Sequence, residues 1–245
     1  TSLFVRFEND VCTLSIDTSG EPLYKRSQRP FNGKAPIREN YGAALCYSLK
    51  QEIDLINKSN KNSDIHLIDP MCGSGTFLLE AINWSKPNQM RNFTYFSYPC
   101  FKLTPPTISL PIKLVESNQS EFSLFSTVQG YEANSQILEK TRENNLNNEL
   151  GIKVFKHDLL SNDSLIGLPK KQKAVIFNPP YGKRIKLGQK PSSYYPAIFK
   201  KIKEKIDPDF LAVVFPLPEN PKEKDIILSS LQPYRLLKKV PFKNG

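Results

Sequence analysis

Short apolar runs alternate with longer stretches of helical period along most of the chain. The strand candidates are Ile65–Asp69, Phe125–Tyr131, Ile152–His157, Ala174–Phe177, Phe210–Phe215 and Tyr234–Val240. The helix candidates are 39–57, Thr76–Ser85, Asn134–Asn147, Ser192–Ile206 and Glu223–Leu231. In the first of these, Leu45, Leu49, Ile53 and Ile56 recur at spacings of four, four and three, which predicts an apolar stripe. Strands alternating with amphipathic helices predict βαβ crossovers, hence an α/β fold: a doubly wound, mostly parallel, Rossmann-like sheet covered on both faces.

Two segments break the rhythm. At the N-terminus, Leu3-Phe-Val-Arg-Phe and Val11-Cys-Thr-Leu-Ser-Ile flank Glu8-Asn-Asp10 and predict a small β-hairpin. A basic, proline-punctuated connector follows it, so residues 1–38 form an attachment to a main domain at 39–245. Within that domain, residues 86–121 carry Phe93, Tyr95, Phe96, Tyr98 and Phe101 among prolines that include Pro99, Pro105, Pro106 and Pro111, without a clear period. An insertion of this length is either a functional flap or a cover over the sheet edge.

Composition narrows the class. No apolar run approaches a membrane span, which predicts a soluble protein. Four scattered cysteines without a CxxC pair give no zinc-ribbon or redox signature, and they predict reduced thiols, a cytoplasmic location and no metal. Lys and Arg number 34 against 24 Asp and Glu, a net charge of +10, which favours a polyanionic partner such as nucleic acid.

The first strand of the main domain runs into Asp69-Pro70-Met71-Cys72-Gly73-Ser74-Gly75-Thr76 and then a helix. Gly73 and Gly75 permit close backbone approach to a ligand. A dinucleotide fingerprint would need a third glycine at position 78, which is Leu78, and a phosphate loop would need Lys after Gly75, which is followed by Thr76. A ligand with a cationic ammonium for Asp69 remains, and S-adenosylmethionine has that form. A turn serving packing alone is the plainer rival. Glu132 and Asp158 end the next two strand candidates, in the crevice where open α/β sheets bind ligands. Glu132 can accept ribose hydroxyls and Asp158, ahead of Leu159, an adenine amine.

The fourth strand leads into Asn178-Pro179-Pro180-Tyr181. Paired prolines stiffen the backbone and remove competing N–H groups. The Asn178 side chain and Pro179 carbonyl can accept both protons of an exocyclic base amine, drawing its lone pair out of the ring toward a methyl donor. Tyr181 offers a face for an extruded base.

Together, Asp69-Pro-Met-Cys-Gly-Ser-Gly-Thr76, Phe77-Leu-Leu-Glu-Ala81, Asn178-Pro-Pro-Tyr-Gly182 and Arg184 resemble the THUMP-associated RNA guanine-N2 methyltransferases, the large-subunit ribosomal RNA enzymes most of all. Leu14-Ser-Ile-Asp-Thr-Ser-Gly20, Leu23, Lys25-Arg26, Arg29 and Lys34-Ala-Pro36 resemble that family's lead-in to its catalytic domain. The resemblance implies S-adenosylmethionine as cofactor and ribosomal RNA as partner, with a THUMP domain upstream in the full-length protein. It assigns Asp69, Met71, Cys72, Gly73, Ser74, Gly75, Thr76, Glu132, Asp158, Leu159 and Asn178 to the cofactor, and Asn178 to Tyr181 to the target base. Glu132 stands where the family usually has Asp. Lys25, Arg26 and Arg29 are expected to share an RNA-facing surface with Lys183, Arg184 and Lys186. Adenine N6 as the target, or an inactive RNA-binding module, are the alternatives.

Overall fold

The computed structural model describes residues 3–22, 24, 25, 37–57, 64–84, 93–99, 123–147, 152–181, 188–216 and 218–241. Two antiparallel strands, β1 (Leu3–Glu8) and β2 (Val11–Ile16), form the expected hairpin. Asn9 and Asp10 turn it with positive φ at both positions, the conformation that suits the twist of a two-residue hairpin. Cross-strand pairing puts Leu3 with Ile16, Val5 with Leu14 and Phe7 with Cys12 on one face, all exposed.

Helix α1 (Glu39–Ile56) precedes the main sheet, whose strands are β3 (His66–Asp69), β4 (Thr127–Glu132), β5 (Lys153–Lys156), β6 (Lys173–Phe177) and β7 (Phe210–Val213). Interleaved with them are α2 (Thr76–Ile82), α3 (Ser135–Asn147), α4 (Pro191–Lys205) and α5 (Pro221–Ser229). All five strands are parallel, in the order β5-β4-β3-β6-β7. The chain therefore builds outward from β3 to β5, then reverses across β3 to lay down β6 and β7.

Side chains alternate between the two faces of the sheet, and both are apolar. Leu67, Ala174 and Ile176 face α1, α2 and α3, joining Cys46, Ile53, Phe77, Leu78 and Leu138. Ile68, Val175 and Phe177 face α4 and α5, joining Tyr195, Ile198, Phe199, Ile202 and Ile227. The doubly wound α/β architecture is thus as the periodicity predicts.

Two expectations are corrected. Tyr234–Val240 is not a strand: the stretch pairs with no strand among the described residues, and Leu236 is 78% exposed. Its apolar residues are interrupted by Arg235, Lys238 and Lys239 and have no sheet face to alternate on, while Lys238 is drawn to Glu52 of α1 at 3.4 Å. In α1, Ile56 is exposed and Leu45 and Leu49 are half-buried. The deepest positions of α1 include Gly42, Ala43, Cys46 and Ile53, because small residues let α1 approach α2 closely, while Leu45 and Leu49 of the expected stripe pack on the core beside them and only Ile56 departs from it. A Cβ on Gly42 would come within 3.0 Å of Thr76 Cγ2, and the Cys46 thiol donates to the Phe77 carbonyl at 3.6 Å. Of the insertion, residues 93–99 are described. A 3-10 turn at Thr94–Ser97 leads to buried Tyr98, whose hydroxyl donates to the Asp17 carbonyl beyond β2; the rest of 86–121 lies outside the described residues.

Gly130, paired with Asp69 across the β3–β4 ladder, sits under the turn that follows β3. A Cβ there would stand 2.6 Å from Leu78 Cδ1 and 2.9 Å from Cys72 Sγ. Gly130→Ala is expected to lower stability by about 1–3 kcal/mol through this overpacking. An unchanged urea midpoint would show that the turn can slide away freely.

Candidate active site

After Asp69 the chain turns through residues 70–75 before entering α2. Gly73 (φ 52°) and Gly75 (φ 81°) both take left-handed backbone, which a Cβ disfavours. Nothing lies within 4 Å of where a Gly73 side chain would begin, so this glycine borders open space.

The loop is held from three sides. The Cys72 N–H donates to the Tyr131 carbonyl at 2.9 Å, extending the sheet contact past β3. The Gly73 N–H donates to Glu132 Oε2 at 3.1 Å, and the Asn134 N–H donates to Glu132 Oε1 at 2.8 Å. Each carboxylate oxygen keeps further acceptor capacity. From α3, Thr141 Oγ1 donates to the Gly73 carbonyl at 2.5 Å and Asn144 Nδ2 to the Ser74 carbonyl at 3.4 Å.

Asp69 is buried, and Oδ1 accepts the Met71 N–H at 3.0 Å. Burial pushes its carboxyl up to about 8; the Met71 bond opposes the rise and the Glu132 charge adds to it. Cys72 lies alongside, its thiol pushed up by burial and by the Asp69 and Glu132 charges, so it is a neutral, packed group. Beyond β5, Asp158 is exposed and accepts the Leu160 N–H at 2.9 Å, with Leu159 buried beside it.

Asn178 to Tyr181 follow β6 directly. The Tyr181 hydroxyl donates to Asn178 Oδ1 and lies 3.3 Å from the Val214 carbonyl. Burial holds this phenol well above its ordinary range. Tyr195 of α4 donates to the Pro180 carbonyl at 3.4 Å. The tetrad is therefore braced through its own tyrosine and through α4, with the Tyr181 hydroxyl turned into the protein.

The structure brings these groups onto one cleft of about 2000 Å³. Asp69, Met71, Cys72, Gly73, Ser74, Thr76, Glu132, Asp158, Leu159, Asn178, Pro179, Pro180 and Tyr181 all line it. Gly75 does not; it lies behind the lining, against α3. The cavity continues along β7 to Leu45 and Leu49 of α1, which accounts for its size. Motif reading misses Asn134, Ile137, His157 and Phe215, which also line it, and the Thr141–Asn144 pair behind the loop. Only Asn134 carries a local signal, as a helix-capping residue whose Oδ1 accepts the Gln136 and Ile137 N–H groups. The others arrive through tertiary packing.

Of the expected basic surface, Lys25 is engaged with Glu21 at 2.9 Å, while Arg26, Arg29, Lys183, Arg184 and Lys186 lie outside the described residues. Among the described residues, no group of three or more His, Cys, Asp or Glu is placed to hold a metal, and no helix is long and apolar enough to cross a membrane.

Residues 26–227 match the family described as RMKL-like, methyltransferase domain. A putative RNA methyltransferase of Synechocystis sp. is 28% identical over 200 residues, 79% of this chain and 48% of that protein. The ribosomal RNA large subunit methyltransferase K/L of Colwellia psychrerythraea is 30% identical over 192 residues, 75% of this chain and 25% of that protein. The chain thus spans between a quarter and about half of these relatives' length. A solved putative methyltransferase complexed with SAH, SMU.472, superposes with a TM-score of 0.57 at 21% identity, over 92% of this chain and 55% of that chain, and so shares the fold. The resemblance drawn from the loop and the tetrad is borne out, and the chain belongs to the RMKL-like methyltransferase domain family.

Proposed function

We propose that the protein is an S-adenosylmethionine-dependent methyltransferase acting on the exocyclic N2 of a guanosine in large-subunit ribosomal RNA. The observation that carries this reading is the meeting of the Asp69–Thr76 loop and the Asn178–Tyr181 tetrad in one cleft, at the carboxyl ends of adjacent strands β3 and β6. Family membership and the names of the two sequence relatives, both RNA methyltransferases, support it. Residues 39–245 would form the methyltransferase domain, with 1–38 as hairpin and connector. An upstream THUMP domain, a cytoplasmic location and the basic residues flanking the tetrad belong to the same proposal.

The chain's residues fit the cofactor. Open space at Gly73 admits a ligand against the backbone, Asp69 can meet its ammonium, and Glu132 is already oriented by two N–H donors to receive ribose hydroxyls. Asp158 is exposed on the cleft, and its carboxylate could accept the adenine amine. When bound, S-adenosylmethionine supplies a methyl on a positively charged sulfur, an electrophile that needs no metal. Asn178 Oδ1 and the Pro179 carbonyl would hold the base amine in line with that methyl, and the amine proton would leave to water after transfer. Positioning and fixed dipoles would provide most of the acceleration.

Incubating full-length protein with RNA and labelled cofactor, followed by mass analysis of nucleosides, tests the reading. N2-methylguanosine is expected; N6-methyladenosine would move the target to adenine, and no methylated nucleoside would favour an inactive binding module. By calorimetry the protein is expected to bind S-adenosylhomocysteine 1:1 and Gly73→Val to abolish that binding, because a branched, left-handed residue would occupy the cofactor's path. Asn178→Ala should leave that affinity within a few fold while lowering turnover by ~10²-fold or more. Retained turnover would remove the tetrad from the chemistry.

Asp69 adds a pH signature. Its folded carboxyl titrates at about 8, so it is mostly protonated at pH 7, and a bound ammonium favours the ionised form. Binding should therefore release a proton and tighten as pH rises toward 8, by on the order of tenfold between pH 6 and 8. Calorimetry in buffers of different ionisation enthalpy reads this release directly. It should vanish in Asp69→Asn; an undiminished release in that variant would place the proton elsewhere.

A further inference from the structure

Two buried polar side chains on α3 touch the glycine loop from behind. Thr141 is 3% exposed and Asn144 is 1% exposed, three residues apart and so on one face of the helix. Threonine inside a helix commonly bonds its own i−4 carbonyl, and Thr141 Oγ1 does lie 2.8 Å from the Ile137 carbonyl. Its contact with the Gly73 carbonyl is shorter, at 2.5 Å, so the single hydroxyl proton is directed to the loop rather than back to its own helix. Asn144 Nδ2 reaches the next carbonyl, of Ser74, at 3.4 Å. The Thr141 methyl lies under Gly75, 3.2 Å from where a Cβ would sit. Three consecutive loop residues are thus met by two side chains of one helix.

The Gly73 peptide needs such restraint. A left-handed glycine facing open space has wide conformational latitude, and ordering it at the moment of binding costs free energy that lowers affinity. Here its N–H is held by Glu132 from the end of β4 and its carbonyl by Thr141. We infer that Thr141 and Asn144 are positioning residues for the cofactor loop, holding the Gly73 and Ser74 carbonyls so that the loop keeps its binding conformation before the cofactor arrives. This rests on the reading of the cleft as an S-adenosylmethionine site. The pair acts through the loop and touches no reacting atom. Its effect therefore falls on cofactor affinity and leaves the rate at saturation alone.

Full-length wild type, Thr141→Val, Thr141→Ser and Asn144→Ala are compared by calorimetry with S-adenosylhomocysteine and by steady-state methyl transfer to RNA. Thr141→Val keeps the side-chain shape and removes the donor. It should raise Kd for S-adenosylhomocysteine and KM for S-adenosylmethionine about tenfold, with kcat at saturating cofactor and KM for RNA within twofold of wild type. Asn144→Ala should weaken the same two constants severalfold. Thr141→Ser retains the hydroxyl and should bind within twofold of wild type. A folded Thr141→Val with wild-type affinity overturns the inference, as does Thr141→Ser losing as much as Thr141→Val, which would assign the role to methyl packing under Gly75. Should Thr141→Val fail to fold, Thr141→Ser and Asn144→Ala decide the matter, and failure of either expectation is fatal. Wild type that takes up no S-adenosylhomocysteine brings down the cleft reading and the inference with it, whereas equal binding by wild type and variants brings down the inference alone.

Discussion

Burial of β3 on both faces and along both edges is the constraint from which the site follows. Leu67 and Ile68 are fully buried in opposite layers, and β4 and β6 flank the strand as parallel neighbours. Because chain order reverses across β3, the loops leaving β3 and β6 diverge to opposite faces and open a crevice between them. The loop from Asp69 and the tetrad from Asn178 are those two loops. Topology alone puts the two loops on one crevice before any side chain is considered.

What the side chains add is rigidity. Glu132 accepts one N–H from the loop and another from the start of α3, so a single carboxylate couples β4, the turn after β3 and the next helix. Tyr181 and Tyr195 do the same for the tetrad, tying it to Val214 and to α4. Methyl transfer between two bound partners gains chiefly from fixed geometry, and a scaffold whose loops are anchored at N–H and carbonyl alike suits that requirement. Asp69 stands apart from this network of satisfied groups. It is a buried carboxyl with one backbone partner and a carboxylate neighbour, and so it invites a cation.

The parts of the site that were legible in sequence are those where local backbone demands a particular residue. Gly73 and Gly75 take left-handed backbone, and Pro179-Pro180 stiffens the exit from β6; both demands leave a trace in the residue type itself. The central strands β3 and β6 were legible because parallel strands buried on both faces are largely apolar, whereas edge strand β5, with Lys153 and Lys156 exposed, keeps only Val154 and Phe155 of that pattern. Tyr234–Val240 has comparable local character yet pairs with nothing described, since a strand is made by its neighbour as much as by its own residues. Ile56 misled for a related reason, as a helical stripe predicts a buried face but not where along the helix the partner ends. Thr141 and Asn144 have no signature at all in isolation, being ordinary polar residues in a polar helix until α3 docks behind the loop.

Asp69 and Asn178 lie far apart in the chain yet end up on neighbouring strands, which bears on how the protein is made. The β3–β6 ladder closes a loop of about a hundred residues, and non-local pairing of that kind forms slowly. During synthesis β3, α2, β4, α3 and β5 emerge before β6, so the acidic half of the cleft can assemble while the half carrying the tetrad is still being translated. Until β6 docks, one edge of β3 remains open along an apolar ladder, the kind of exposed edge that invites mispairing. The chain therefore completes its cleft and covers the open edge of β3 in the same folding step.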